Sequence, residues 1–147
     1  MRNTTELAIP RVESMPKNAV FTIVSRNYLH FAKTLMSSFR EHAPEFDRFV
    51  VICDVRDDAV CENPLYQTIQ FEDLALDHST FPMLRYSILE LNTAVKPSAF
   101  RLLFQEMGYE NVSYFDPDIR LYSGLESLRN RLETSDVLLT PHLTGPL

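Results

Sequence analysis

The sequence predicts an α/β protein, a three-layer α/β/α sandwich with a mostly parallel central sheet. Three observations predict it. Two β-prone runs, Ala19–Ser25 and Phe49–Cys53, are continuously apolar or nearly so, as strands buried on both faces require. Between them Tyr28, Phe31, Ala32, Leu35, Met36 and Phe39 recur at helical spacing, and strand–helix–strand implies parallel pairing through a right-handed crossover. A third run, Val112–Phe115, leads directly into Asp116-Pro117-Asp118. Proline removes a ladder donor and ionised carboxylates resist burial, so this strand ends near Phe115 and holds both acids at its C-terminal lip.

The elements follow in order. Residues 1–18 are polar at first and broken by Pro10 and Pro16, and read as a flexible leader without the apolar core of a signal peptide. The domain spans 19–147. After the first strand, Ser25 or Asn27 is placed to cap the helix from Tyr28, which His42 and Pro44 close. The second strand ends at Asp54. Val55 to Asn63 is acidic and polar, Thr68–Phe71 is a short third strand, and Glu72–Thr80 is a loop or a single helical turn. Phe81–Leu91 is helical, with Pro82 tolerated in its first turn. Asn92–Pro97 interrupts, and Ser98 caps a helix through Ala99, Leu102, Leu103 and Met107 that Gly108 terminates. Beyond the acids, Ile119–Tyr122 is extended, Leu125, Leu128 and Leu132 mark a short helix, and Asp136–Thr140 reads as a last strand.

Composition narrows the function. The chain has 147 residues, long enough for one domain with a real core, and a hydrophobic fraction of 45% with 23% charged residues is that of an ordinary globular protein. A formal net charge of −6 argues against nucleic-acid binding, which needs a basic face. Any anionic ligand must therefore be met locally, by a metal or a few placed cations. With only 3 glycines and no Gly-rich phosphate loop, bare-backbone recognition of phosphate is disfavoured. Cys53 and Cys61 are too few for a disulfide framework or a zinc site and read as reduced thiols. No run is long enough to span a membrane, so the expected location is the cytoplasm.

The polar groups gather at strand ends: Ser25 and Asn27 after the first, Asp54 after the second, Asp116 and Asp118 after the fourth predicted strand. In a parallel sheet these ends share one rim, where open α/β sheets bind ligands. Two carboxylates there offer oxygen donors to a hard divalent cation, which keeps open positions for phosphate oxygens. Asp54 can accept a hydrogen bond from a nucleobase imide. Lys96, in the break between two helices, and Arg101 are placed to offset diphosphate charge. Plainer readings stand beside these: Asp116, Asp118 and Asp54 punctuate turns, Asn27 caps a helix, and Arg85 and Arg120 lie on solvated faces. The histidines lack metal spacing, and only His142 follows a strand end.

Together Ala19–Ser25, the helix from Tyr28, Val50–Asp54, Asn92-Thr-Ala-Val-Lys-Pro97, Phe100-Arg-Leu-Leu103 and Tyr114-Phe-Asp-Pro-Asp118 resemble the N-terminal half of GT-A-fold glycosyltransferases, family-8-like enzymes above all. The resemblance runs from about Ala19 to Pro141. It implies a nucleotide-diphosphosugar donor (a UDP-, GDP- or dTDP-sugar) and transfer of the sugar to an acceptor it does not identify. It places base and ribose over Ser25, Asn27 and Asp54. It makes Asp118 a ligand of Mn²⁺ or Mg²⁺, Asp116 a metal or ribose contact, and Lys96 and Arg101 donor contacts. Family domains continue well past this point, with acceptor-binding and catalytic residues. The chain is therefore expected to be incomplete at its C-terminus and prone to self-association through an uncovered sheet edge. Two rivals remain. A haloacid-dehalogenase-type phosphatase also places Asp-x-Asp at a strand end, but its usual Thr or Ser is replaced here by Arg120. A non-catalytic α/β interaction module would use the acids only as turn residues.

Overall fold

The computed structural model describes residues 17–54, 63–74 and 88–140. The expected leader up to residue 16, the start of the helix at Phe81, Cys61, Arg85 and His142 lie outside them.

Four described strands form one sheet: β1 (Asn18–Val24), β2 (Phe46–Ile52), β3 (Gln67–Gln70) and β4 (Asn111–Tyr114). The order is β3-β2-β1-β4 and every pairing is parallel. All seven residues of β1 are buried, as its unbroken apolar run requires of a central strand. The first helix, α1 (Leu29–His42), links β1 to β2, while α2 (Ile88–Ala94) and α3 (Lys96–Arg101) precede β4. The last turn of α3 widens to π geometry over Leu102–Glu106, and α4 (Glu126–Leu132) follows the acid pair.

Because side chains alternate along a strand, the sheet has two apolar faces. On one, Phe21, Ile23, Phe49 and Val51 pack with Val95, Ala99 and Leu103 of the α2–α3 region. On the other, Val20, Val24, Val50 and Ile52 pack with Ala32, Leu35, Met36 and Phe39 of α1. The result is helix, sheet, helix. Among the described residues no helix is long and apolar enough to cross a membrane.

Four local expectations need correction. Neither Ser25 nor Asn27 caps α1. Ser25 precedes a 3₁₀ turn, Arg26–Tyr28, and makes no side-chain cap bond, and α1 begins after Tyr28, also without one. Tyr28 and Phe31 were expected on the buried helix face, yet they are 48% and 39% exposed. Tyr28 belongs to the 3₁₀ turn and not to α1, and its ring stacks on that of Phe31 at the exposed entry of the helix, centroids 5.6 Å apart. The break at Asn92–Pro97 shrinks to Val95, and α3 starts at Lys96 with Pro97 in its first turn, so Ser98 lies inside the helix. Proline's fixed φ and missing N–H suit that first turn. Finally, Asp136–Thr140 is no strand: Val137 is 70% and Leu139 87% exposed. β propensity needs a neighbouring strand, and this segment has none among the described residues.

Other expectations hold with small shifts. β3 spans Gln67–Gln70, one residue earlier than expected. Gly108, at φ +70°, ends the α3 region, and the Tyr109 N–H closes back on the Leu103 carbonyl at 3.1 Å.

Candidate functional site

All four strands point one way, so their C-terminal ends share one rim. The chain leaves β1 toward β2 and β3 on one side, then returns to place β4 on the other side of β1. That reversal between β1 and β4 opens a crevice at the strand ends, the usual ligand position in such sheets. A cleft of about 500 Å³ occupies it, within the range of roughly 300–1,000 Å³ typical of small-molecule sites.

Three parts of the chain form its walls. The end of β1 and its 3₁₀ turn give Ile23, Val24, Ser25, Asn27 and Tyr28. The α2–α3 junction gives Asn92, Thr93 and Lys96. The exit of β4 gives Tyr114, Asp116 and Pro117. Register explains the meeting: Tyr114 pairs with Phe21, so the two residues after β4, Phe115 and Asp116, climb alongside Thr22 and Ile23. The Phe115 N–H still bonds the Phe21 carbonyl at 3.1 Å, and a turn closed by Ile119 N–H on the Asp116 carbonyl at 3.2 Å carries both acids.

Of the residues expected at the site, Ser25, Asn27, Lys96 and Asp116 line this one cleft. The Ser25 hydroxyl donates to Asn27 Oδ1, so both face the cleft as a linked pair instead of capping a helix. Asp118 is exposed on the same turn, outside the wall, with its charge reaching the Tyr114 hydroxyl. Asp54 lies one step back. Its Oδ2 accepts the Arg26 N–H at 2.9 Å and so fixes the turn that presents Asn27, while Oδ1 is buried without a hydrogen-bond partner. Arg101 is exposed on α3 and does not line the cleft.

Tyr114 is the hub. Its hydroxyl donates to Asp116 Oδ1 at 2.8 Å, and the Lys96 ammonium sits 4.1 Å from its ring centroid. The ring rests on buried Phe21, centroids 5.3 Å apart. Burial first, then the hydrogen bond to Asp116 and the charges of Asp116 and Asp118, push the Tyr114 hydroxyl well above the ordinary phenol range. It therefore stays protonated and remains a donor. Neighbouring Cys53 is buried, and burial with the adjacent Asp54 charge pushes its thiol up to about 12.

Sequence reasoning missed Tyr28, Asn92, Thr93 and the role of Tyr114. Tyr28 and Tyr114 read as core because tyrosine fits an apolar period. Asn92 read as a helix breaker, yet it lines the cleft with its Oδ1 buried and unmatched by any hydrogen-bond donor. An Asn at the head of a break beside Lys96 was the available signal.

Asp116 and Asp118 share one turn and are the carboxylates that could hold a metal. Among the described residues no three His, Cys, Asp or Glu side chains converge. Two carboxylates fit a hard divalent cation that draws its remaining oxygens from ligand and water, and they do not make a closed structural site. No protein-family model matches the chain, and no curated protein is similar to it at a significant level.

Proposed function

We propose that the chain is the nucleotide-sugar-binding part of a metal-dependent glycosyltransferase of the GT-A type, working in the cytoplasm. The observation that carries this reading is the cleft at the β1–β4 reversal, where Asp116, Lys96, Ser25 and Asn27 meet although they lie up to 91 residues apart in the chain. A nucleotide needs hydrogen-bonding groups for base and ribose, and a diphosphate needs positive charge. The first are Ser25, Asn27 and Asn92, which line the cleft. The second comes from Lys96 and from a cation held by Asp116 and Asp118, in a protein whose net charge of −6 offers no general attraction to phosphate.

When bound, Mn²⁺ or Mg²⁺ supplies Lewis acidity to the departing nucleoside diphosphate. The side chains do the rest. Lys96 is held over the Tyr114 ring, where its charge can meet phosphate oxygens. Asp54 keeps the Ser25–Tyr28 turn in place. Arg101, on the helix that begins with Lys96, does not line the cleft, so this reading rests on Lys96 alone for a protein cation.

Titration of UDP-, GDP- and dTDP-sugars with and without Mn²⁺, repeated on Asp118→Asn, tests it. Metal-dependent nucleotide binding that the variant loses is the expected result. Phosphate release from a generic ester would instead support a phosphatase, and silence in both assays a non-catalytic module.

A further inference from the structure

We propose that Tyr114 is a positioning residue that sets two charges of the cleft at once, orienting Asp116 through its hydroxyl and Lys96 through its ring. The proposal rests on the metal–nucleotide reading of the cleft and gives Tyr114, which stands in the quoted motif without a role, a function of its own. Asp116 is exposed, and an exposed carboxylate at a strand exit would normally sample several rotamers. Here one oxygen is taken: Oδ1 accepts the Tyr114 hydroxyl at 2.8 Å. Oδ2 is left as the oxygen that can turn to a cation. A hydrogen bond to a ligating carboxylate fixes its direction and its basicity.

The same ring holds the cation. Lys96 Nζ lies 4.1 Å from its centroid, the geometry of a cation–π contact. The ring itself is anchored, because Phe21 beneath it is fully buried and packs edge-on against Phe100 with centroids 4.8 Å apart. A packed aromatic cluster thus carries a carboxylate from the rim of Tyr114 and an ammonium on its face. The two charges touch different parts of one phenol, Asp116 its hydroxyl and Lys96 its ring face.

Hydroxyl and ring can be separated by substitution. Tyr114→Phe keeps the ring, and with it Lys96 and the packing on Phe21, but frees Asp116. Tyr114→Leu removes both. Mn²⁺ binding is read by electron paramagnetic resonance in the presence of UDP, and UDP binding alone by calorimetry, on the full chain. Tyr114→Phe is expected to weaken Mn²⁺ by about ten- to a hundredfold, the usual penalty for losing such a support. Metal-free UDP affinity and the melting temperature should stay near the parent values. Tyr114→Leu should weaken both ligands. In an Asp116→Asn background, Tyr114→Phe should have no further effect on Mn²⁺, because the two act as one unit. Unchanged Mn²⁺ affinity in Tyr114→Phe, or full additivity with Asp116→Asn, would overturn the proposal and leave the nucleotide reading standing. A parent protein that binds neither Mn²⁺ nor UDP would sink both.

Discussion

The Asp54 carboxylate accepts a 2.9 Å hydrogen bond from the backbone N–H of Arg26, tying the chain that leaves β2 to the chain that leaves β1. The Cys53 N–H bonds the Val24 carbonyl at 3.0 Å just before it, so pairing between the two strands continues past their ends. Asp54 does not line the cleft, yet it holds the turn from which Ser25, Asn27 and Tyr28 do. Asp54→Ala should therefore lower stability by about 1 kcal/mol, the usual worth of one partly exposed bond. It should also weaken nucleotide binding. Asp54→Asn keeps an acceptor and should bind nucleotide nearly as well as the parent. If Asn proves as damaging as Ala, the negative charge itself meets the ligand and the positioning account fails.

Cys53 gives a prediction in pH. The thiol's ordinary value is 9.0, and burial with the neighbouring Asp54 charge raises it to about 12 in the folded protein. The native state thus holds this proton more tightly than the unfolded chain does. Its contribution is complete below about pH 9 and is lost as the pH climbs toward about 12. Tyr109 and Tyr114, both raised chiefly by burial, add loss in the same direction at higher pH. Urea midpoints followed from neutral into alkaline solution should fall for the parent and fall less for Cys53→Ala. In a Cys61→Ser background, iodoacetamide should label Cys53 only as fast as the protein unfolds. Rapid labelling of the native protein would contradict the buried, protonated thiol.

The sheet was legible because its signal is local. Ala19–Ser25 and Phe49–Cys53 are apolar in sequence and buried in the structure for the same reason, helices on both faces. The acid pair was legible because ionised carboxylates and proline do not extend a paired strand, although β4 proves to be the half-buried edge of the described sheet and not a central strand. What was not legible depends on contacts between distant segments. Asp136–Thr140 has the composition of a strand, but composition does not supply a partner. The α2–α3 break looked long because Asn92 and Thr93 are poor helix formers, yet α2 runs through both, and tertiary packing routinely overrides so weak a preference. The Tyr114 hub joins residues from α3, β1 and the acid turn, and nothing in the spacing of Lys96 and Tyr114 announces that one lies over the other.

Ser38 tests whether the acid turn is held from both sides. Its hydroxyl donates to the Leu35 carbonyl at 2.6 Å and accepts the Leu121 N–H at 3.0 Å, and the residue is only 2% exposed. Upstream, the Phe115 N–H pins the chain to Phe21. Downstream, Leu121 is bound to α1 through Ser38 and buries its side chain in the same core. The acids sit on the span between these two anchors. Ser38→Ala leaves the buried Leu121 N–H without its acceptor, at a cost of about 1–3 kcal/mol. The melting temperature should fall accordingly. If the turn needs both anchors, Mn²⁺-dependent nucleotide binding should weaken while metal-free binding holds, because Ser25, Asn27 and Lys96 stand on other elements. A variant that melts lower but keeps its full Mn²⁺ dependence would show that the β4 pairing alone suffices to place Asp116 and Asp118.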